Sequence, residues 1–157
     1  LVKSSSKIIR LLCDMTSIDI LEKYNQTNEF GRFLGLEIEL SSPGEVKYSV
    51  EVKKEHLATL HSAHGGFLAA YFDQIIGTAA LSKALIDEKV VATVELKINY
   101  LKPAYLGDKL VGKGIVINNG KRLYTVEGKI FNQKQELLAT GLATLNAYPF
   151  EKSDMNY

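Results

Sequence analysis

Cysteine, charge of one sign, long apolar runs and internal repeats are all scarce in this 157-residue chain, and each scarcity narrows what it can be. Cys13 stands alone, so neither an intramolecular disulfide framework nor a cysteine-based zinc cluster can form, and a reducing, cytoplasmic setting is the simpler expectation. Lys and Arg number 19 against 18 Asp and Glu, a net charge of +1, which lacks the one-sided basic field that a phosphate backbone requires. Nucleic acid is therefore not an expected partner. No apolar run approaches the ~20 residues of a spanning helix. Near the start, Arg10 and Asp14 confine Leu11-Leu12-Cys13, short of the about 7 to 15 apolar residues of a secretory h-region. Neither export nor a membrane is expected. Hydrophobic residues at 46% and charged residues at 24% are ordinary globular usage and predict one core.

Residues 1–30 read as an N-terminal arm followed by a short helix. Thr16 and Ser17 offer N-cap hydroxyls, and Ile18, Leu21 and Tyr24 recur on one helical face. Gly31 and Gly35 are expected to loosen the chain before a strand at 36–40, and Ser41-Ser42-Pro43-Gly44 marks a turn. From Glu45 to Val52 apolar and polar residues alternate, the pattern of a strand with one wet face. Between Gly66 and Leu85 the period lengthens: Leu68, Phe72, Ile75, Ile76 and Ala79 fall at helical spacing, while small residues keep the other faces slim. Four strands follow over 90–101, 109–118, 121–131 and 136–148, expected as an antiparallel meander with a hairpin turn at Asn118-Asn119-Gly120. One long apolar helix among about six strands hides its surface only if the sheet curls around it, which predicts an α+β domain over 31–148 and a polar, frayed tail over 149–157.

Chemistry-bearing residues concentrate in one stretch, His64-Gly65-Gly66 and, seven positions on, Asp73. The glycines open the long helix, where backbone N–H groups and the dipole can meet a ligand oxygen. Asp73 is the one carboxylate between Glu55 and Asp87, set in an apolar helix, so it either has partners, faces an exposed stripe or does work. An oxyanion-type donor and a carboxylate base are the two elements that acyl-transfer hydrolysis requires. His56, His61 and His64 have no nearby acid or thiol to complete a tetrahedron, and no metal is expected.

These residues, together with Thr93-Val94-Glu95-Leu96-Lys97-Ile98-Asn99-Tyr100-Leu101-Lys102-Pro103-Ala104, resemble the hotdog-fold acyl-CoA thioesterases of the phenylacetate-pathway and thioesterase-superfamily-member-2 type, over about residues 30–147. The resemblance implies hydrolysis of an acyl-CoA without metal or redox cofactor, CoA being part of the substrate. It implies Gly65 as the donor that polarises the thioester carbonyl, Asp73 as base or nucleophile, Thr93 as its helper, and His64 as the residue that orients the loop. Gly66, Phe67, Phe72 and Tyr100 are then candidates to contact substrate, and Lys121 and Arg122 to meet the nucleotide phosphates. The sequence departs from the family at Ala58, where many members carry an asparagine near the attacking water. The rival expectation is a domain that binds acyl-CoA without cleaving it.

Seven helical residues place Gly66 and Asp73 about 10 Å apart along the axis, whereas a donor and a base serving one carbonyl must both act within about 3 Å of it. The expected assembly is a homodimer in which one subunit supplies the glycine N–H and the other Asp73 with Thr93. A dimer of dimers is the larger alternative.

Overall fold

A computed structural model, describing residues 17–155, orders the chain as α1 (Ser17–Thr27), α2 (Glu29–Leu34), β1 (Glu37–Ser42), β2 (Glu45–Glu51), α3 (Gly65–Ala84), β3 (Lys89–Tyr100), β4 (Lys109–Asn119), β5 (Leu123–Phe131) and β6 (Leu137–Pro149). Single 3₁₀ turns lie at Lys54–His56, Leu85–Asp87 and Phe150–Lys152. The arm expected over 1–15 lies outside the described residues.

The six strands form one antiparallel sheet in the order β1-β2-β4-β5-β6-β3, and α3 packs across five of them, from β2 to β3. Tyr71, Phe72, Ile75, Ile76 and Ala79 are fully buried there, each large apolar side chain contributing about 1.5–3 kcal/mol on leaving water. The approach is close because Gly112, Gly114 and Gly128 face α3: a Cβ at any of them would collide with Ile75 or Phe72. Tyr71 and Tyr48 pin helix to sheet with their hydroxyls. The first donates to the Tyr48 carbonyl at 2.6 Å, and the second lies 3.1 Å from Thr78 Oγ1. This is the hotdog architecture, one long helix wrapped by a six-stranded sheet.

Three expectations need correction. Gly31 and Gly35 do not loosen the chain: Gly31 lies inside α2, where Asn28 Oδ1 accepts its N–H at 2.9 Å, and Gly35 closes the helix in the left-handed region at φ 71°. Nor do four strands form a meander, because β3 pairs with β6 and not with β4. The 101–108 connection returns the chain from that outer edge to the far side of β5, and the Leu101 and Lys102 N–H groups both donate to the Leu138 carbonyl on the way. The tail, finally, is anchored as far as Met155. Phe150 is buried with Ile20, Leu21, Leu81, Leu85 and Val90 in a second apolar cluster, and Met155 packs against it.

Candidate active site

The segment between β2 and α3 is tied down by His56. Its Nδ1 accepts the Lys53 N–H at 3.1 Å, its carbonyl accepts the His64 N–H at 2.7 Å, and its ring lies flat on Phe67 with centroids 4.0 Å apart. The side chain is buried and Nε2 has no hydrogen-bond partner among the described residues. Burial holds the imidazole below its usual pKa, with Glu55 pulling the other way and Lys53 reinforcing the shift. The folded chain therefore binds fewer protons than the unfolded one. Its contribution to stability is complete above about pH 6.5 and declines as pH falls below that value. Melting curves between pH 7.5 and 5 are expected to show wild type losing more stability on acidification than His56→Phe, which keeps a stacked ring without a titration. Equal losses would remove His56 as the cause.

His64 is the N-cap of α3: its Nδ1 accepts the Gly66 N–H at 2.8 Å, and its carbonyl takes the Phe67 and Leu68 N–H groups. Of the first four helical N–H groups, that of Gly65 alone is left without an acceptor among the described residues. The Gly65 carbonyl in turn accepts the Tyr100 hydroxyl at 2.9 Å, which ties the helix start to the end of β3.

Two turns further on the same stripe of α3 is Asp73. It is exposed in the single chain, so it lies on a surface stripe of the helix and not in its buried packing. Thr93 Oγ1 donates to Asp73 Oδ1 at 3.0 Å. A bulge delivers that threonine: Thr93 stands opposite Leu145 and Glu95 opposite Thr144, so Val94 is the extra residue in β3. Leu145 is buried against α3, so Thr93 shares the helix-facing side with Leu96 and Ile98 despite the odd spacing. Asp73 and Thr93 stand at a cavity of about 150 Å³ that extends past Gly77 between α3 and β3 and is bounded by Tyr24 and Met155. A larger depression, about 460 Å³, lies among Lys47, Lys113, Glu127 and Lys129 on the opposite side of the sheet from Asp73.

Phe67 and Phe72 are core residues and do not line the Asp73 cavity. Phe72 instead lies over Gly128. Lys121 and Arg122 are not in β5, which begins at Leu123, but exposed in the turn before it. There the Lys121 carbonyl accepts from Lys89 Nζ and the Arg122 carbonyl from the Ala147 N–H, beside the start of β3. His56, Tyr24, Gly77 and Met155 were not among the sequence-derived candidates. A glycine inside an apolar helix was the available signal for Gly77. Among the described residues no group of three His, Cys, Asp or Glu side chains could share an ion, and no helix is long and apolar enough to cross a membrane.

A hotdog domain with a carboxylate and a hydroxyl paired on its central helix and edge strand defines a class, and comparison with known proteins specifies the family. Residues 60–139 match the thioesterase superfamily, to which this chain belongs. It is 28% identical over 128 residues to acyl-coenzyme A thioesterase 13 of Homo sapiens, covering 80% of this chain and 90% of that protein. It is 30% identical over 139 residues to a protein named as an esterase from Saccharolobus solfataricus, covering 87% and 89%. A similarly named protein of Archaeoglobus fulgidus is 31% identical over 102 residues, which span 65% of this chain and 64% of that one. Among solved structures, the PaaI protein of Escherichia coli superposes with a TM-score of 0.78 at 21% identity, over 84% of this chain and 93% of that one. A Streptococcus pneumoniae thioesterase solved with coenzyme A gives 0.67 at 29% identity, over 73% and 86%. The protein is a thioester hydrolase.

Proposed function

We propose that the protein hydrolyses an acyl-CoA thioester to free CoA and a carboxylic acid, with Asp73 as the base or nucleophile. The observation that carries this reading is the Thr93 to Asp73 hydrogen bond at the mouth of a cavity. The threonine hydroxyl occupies Oδ1 and orients the carboxylate, leaving Oδ2 to take a proton from water as that water attacks the thioester carbonyl. The carbonyl oxygen gains charge in the tetrahedral intermediate, and the Gly65 N–H, left free beside the Gly66 N–H that His64 caps, donates to it. Collapse expels the CoA thiolate, which is protonated, and leaves the acid. No metal or redox cofactor enters these steps. Lys121 and Arg122 are the cations offered to the CoA phosphates. The relatives support the substrate class, since one is named an acyl-CoA thioesterase and another was solved with CoA. That Streptococcus pneumoniae protein was also solved with alanine in place of an aspartate and of a threonine, the residue types paired here.

The site is completed by a second copy. Gly65 and Asp73 lie on one stripe of one helix, about 12 Å apart along its axis at 1.5 Å per residue, so the two serve one carbonyl only if they come from different subunits. β3 supports this arrangement, being an edge strand of 12 residues whose outer side pairs with nothing among the described residues and which exposes Val94 and Tyr100. Purified protein is expected to release free thiol from at least one member of a panel of short, medium, long and aryl acyl-CoAs. Tight binding without release would instead establish a binding module, the reading that Ala58 favours because its methyl group cannot hold a water.

A further inference from the structure

We propose that the cavity beside Asp73 is the acyl-group subsite, that it admits apolar acyl groups of up to about six carbons, and that Gly77 sets this limit; the inference rests on the thioesterase reading above. Gly77 lies one turn beyond Asp73 on the same face of α3, so a group whose carbonyl sits at Asp73 extends directly over it. Among the described residues a Cβ built at Gly77 meets nothing within 4 Å, unlike those at Gly112, Gly114 and Gly128, where the core leaves no room. Packing therefore does not require glycine here, and the helix is weakened by it. What the missing side chain leaves is open space in the cavity.

The chemistry of the walls selects an apolar occupant. Beyond Asp73 and Thr93 the cavity is lined by Gly77, Leu81, Val91, Leu145 and Met155. Gln74 contributes no unused polar group: its Oε1 accepts from Asn28 Nδ2 at 2.8 Å, and its Nε2 donates to the Tyr24 hydroxyl and to Thr78 Oγ1, each at 3.1 Å. Past the mouth a hydroxylated or charged acyl chain would meet one polar group, the Tyr24 hydroxyl that already accepts from Gln74, and would lose most of its hydration. The volume is about 150 Å³, the size of an apolar protein cavity known to hold one benzene ring. Tyr24 and Met155 complete the described lining, so α1 and the chain after β6 both contribute walls to the space available to the acyl group.

The test is kcat/KM for acetyl-, hexanoyl-, benzoyl-, decanoyl- and palmitoyl-CoA, together with affinities for the matching non-hydrolysable thioethers, on wild type, Gly77→Ala and Gly77→Val. Wild type should favour hexanoyl or benzoyl over palmitoyl by at least about tenfold, and Gly77→Val should lower the hexanoyl-to-acetyl ratio by at least about tenfold, the range for a methylene or two in a hydrophobic pocket. Gly77→Ala, which suits a helix better, should shift the ratio less in the same direction and melt at a higher temperature. Palmitoyl-CoA matching hexanoyl-CoA in wild type would overturn the proposal, as would a Gly77→Val loss equal across the panel or accompanied by dissociation to monomers, which would place Gly77 at a subunit contact. Failure to hydrolyse any acyl-CoA would overturn the thioesterase reading instead. The thioether affinities would still decide the cavity, since a flat dependence on acyl size excludes it.

Discussion

Asp73→Asn is expected to lower kcat by at least about 100-fold, equivalent to about 2.7 kcal/mol of transition-state stabilisation, with little change in affinity for a non-hydrolysable acyl-CoA. The asparagine keeps the size of the side chain and an oxygen that can accept from Thr93 Oγ1, so the 3.0 Å contact survives. What disappears is the charge that would draw a proton from water or attack the thioester. Because Asp73 is exposed in the single chain, the folded state carries little desolvation strain to relieve, and the melting temperature should stay close to wild type. Thr93→Ala should cost less than Asp73→Asn, as the carboxylate remains and only its orientation is lost. Side-by-side thiol-release assays of the folded proteins decide the matter. Equal rates for wild type and Asp73→Asn would take Asp73 out of the mechanism.

Gly65→Pro is expected to lower kcat by about 100- to 1,000-fold, the range for removing one oxyanion donor, while leaving α3 in place. Proline lacks the N–H in question, and the first residue of a helix is the position that tolerates it. The preceding residue also suits it, since His64 sits at φ −69° and ψ 137°, the extended region that a residue before proline adopts. An ordinary Cβ at position 65 would lie 3.7 Å from the Tyr100 ring, a normal contact. The variant then reports on assembly. Co-expression of Gly65→Pro with Asp73→Asn should restore about a quarter of wild-type activity, because half of the dimers are mixed and each mixed dimer retains one site with both groups intact. A site built within one chain would give no recovery at all.

The elements whose physics is local were legible. Alternation across Glu45–Glu51 and helical spacing from Leu68 to Ala79 follow from which face each residue must bury, and both lie where the periods put them. His64-Gly65-Gly66 read as the start of a helix whose free N–H groups could meet a ligand oxygen, and the structure makes the histidine the cap of that helix. The departures are all matters of distant partners or of caps. Gly31 and Gly35 looked like loosening residues until Asn28 capped the helix that holds the first and the second closed it. Phe150 looked like part of a polar tail until the far end of α3 and α1 supplied an apolar seat.

Composition, charge and the single cysteine bounded the class of protein, and residue order alone placed a carboxylate and a pair of glycines on one apolar helix, because helical period and end effects act within a few residues. Only the tertiary structure decided that β3 is an edge strand, that a bulge at Val94 turns Thr93 onto Asp73, and that Tyr24, Gly77 and Met155 line one cavity. Those outcomes depend on pairing and packing between segments up to 131 residues apart. Loop closure, strand register and the competition for buried surface choose among such partners, and none of these is written in the period of any single stretch.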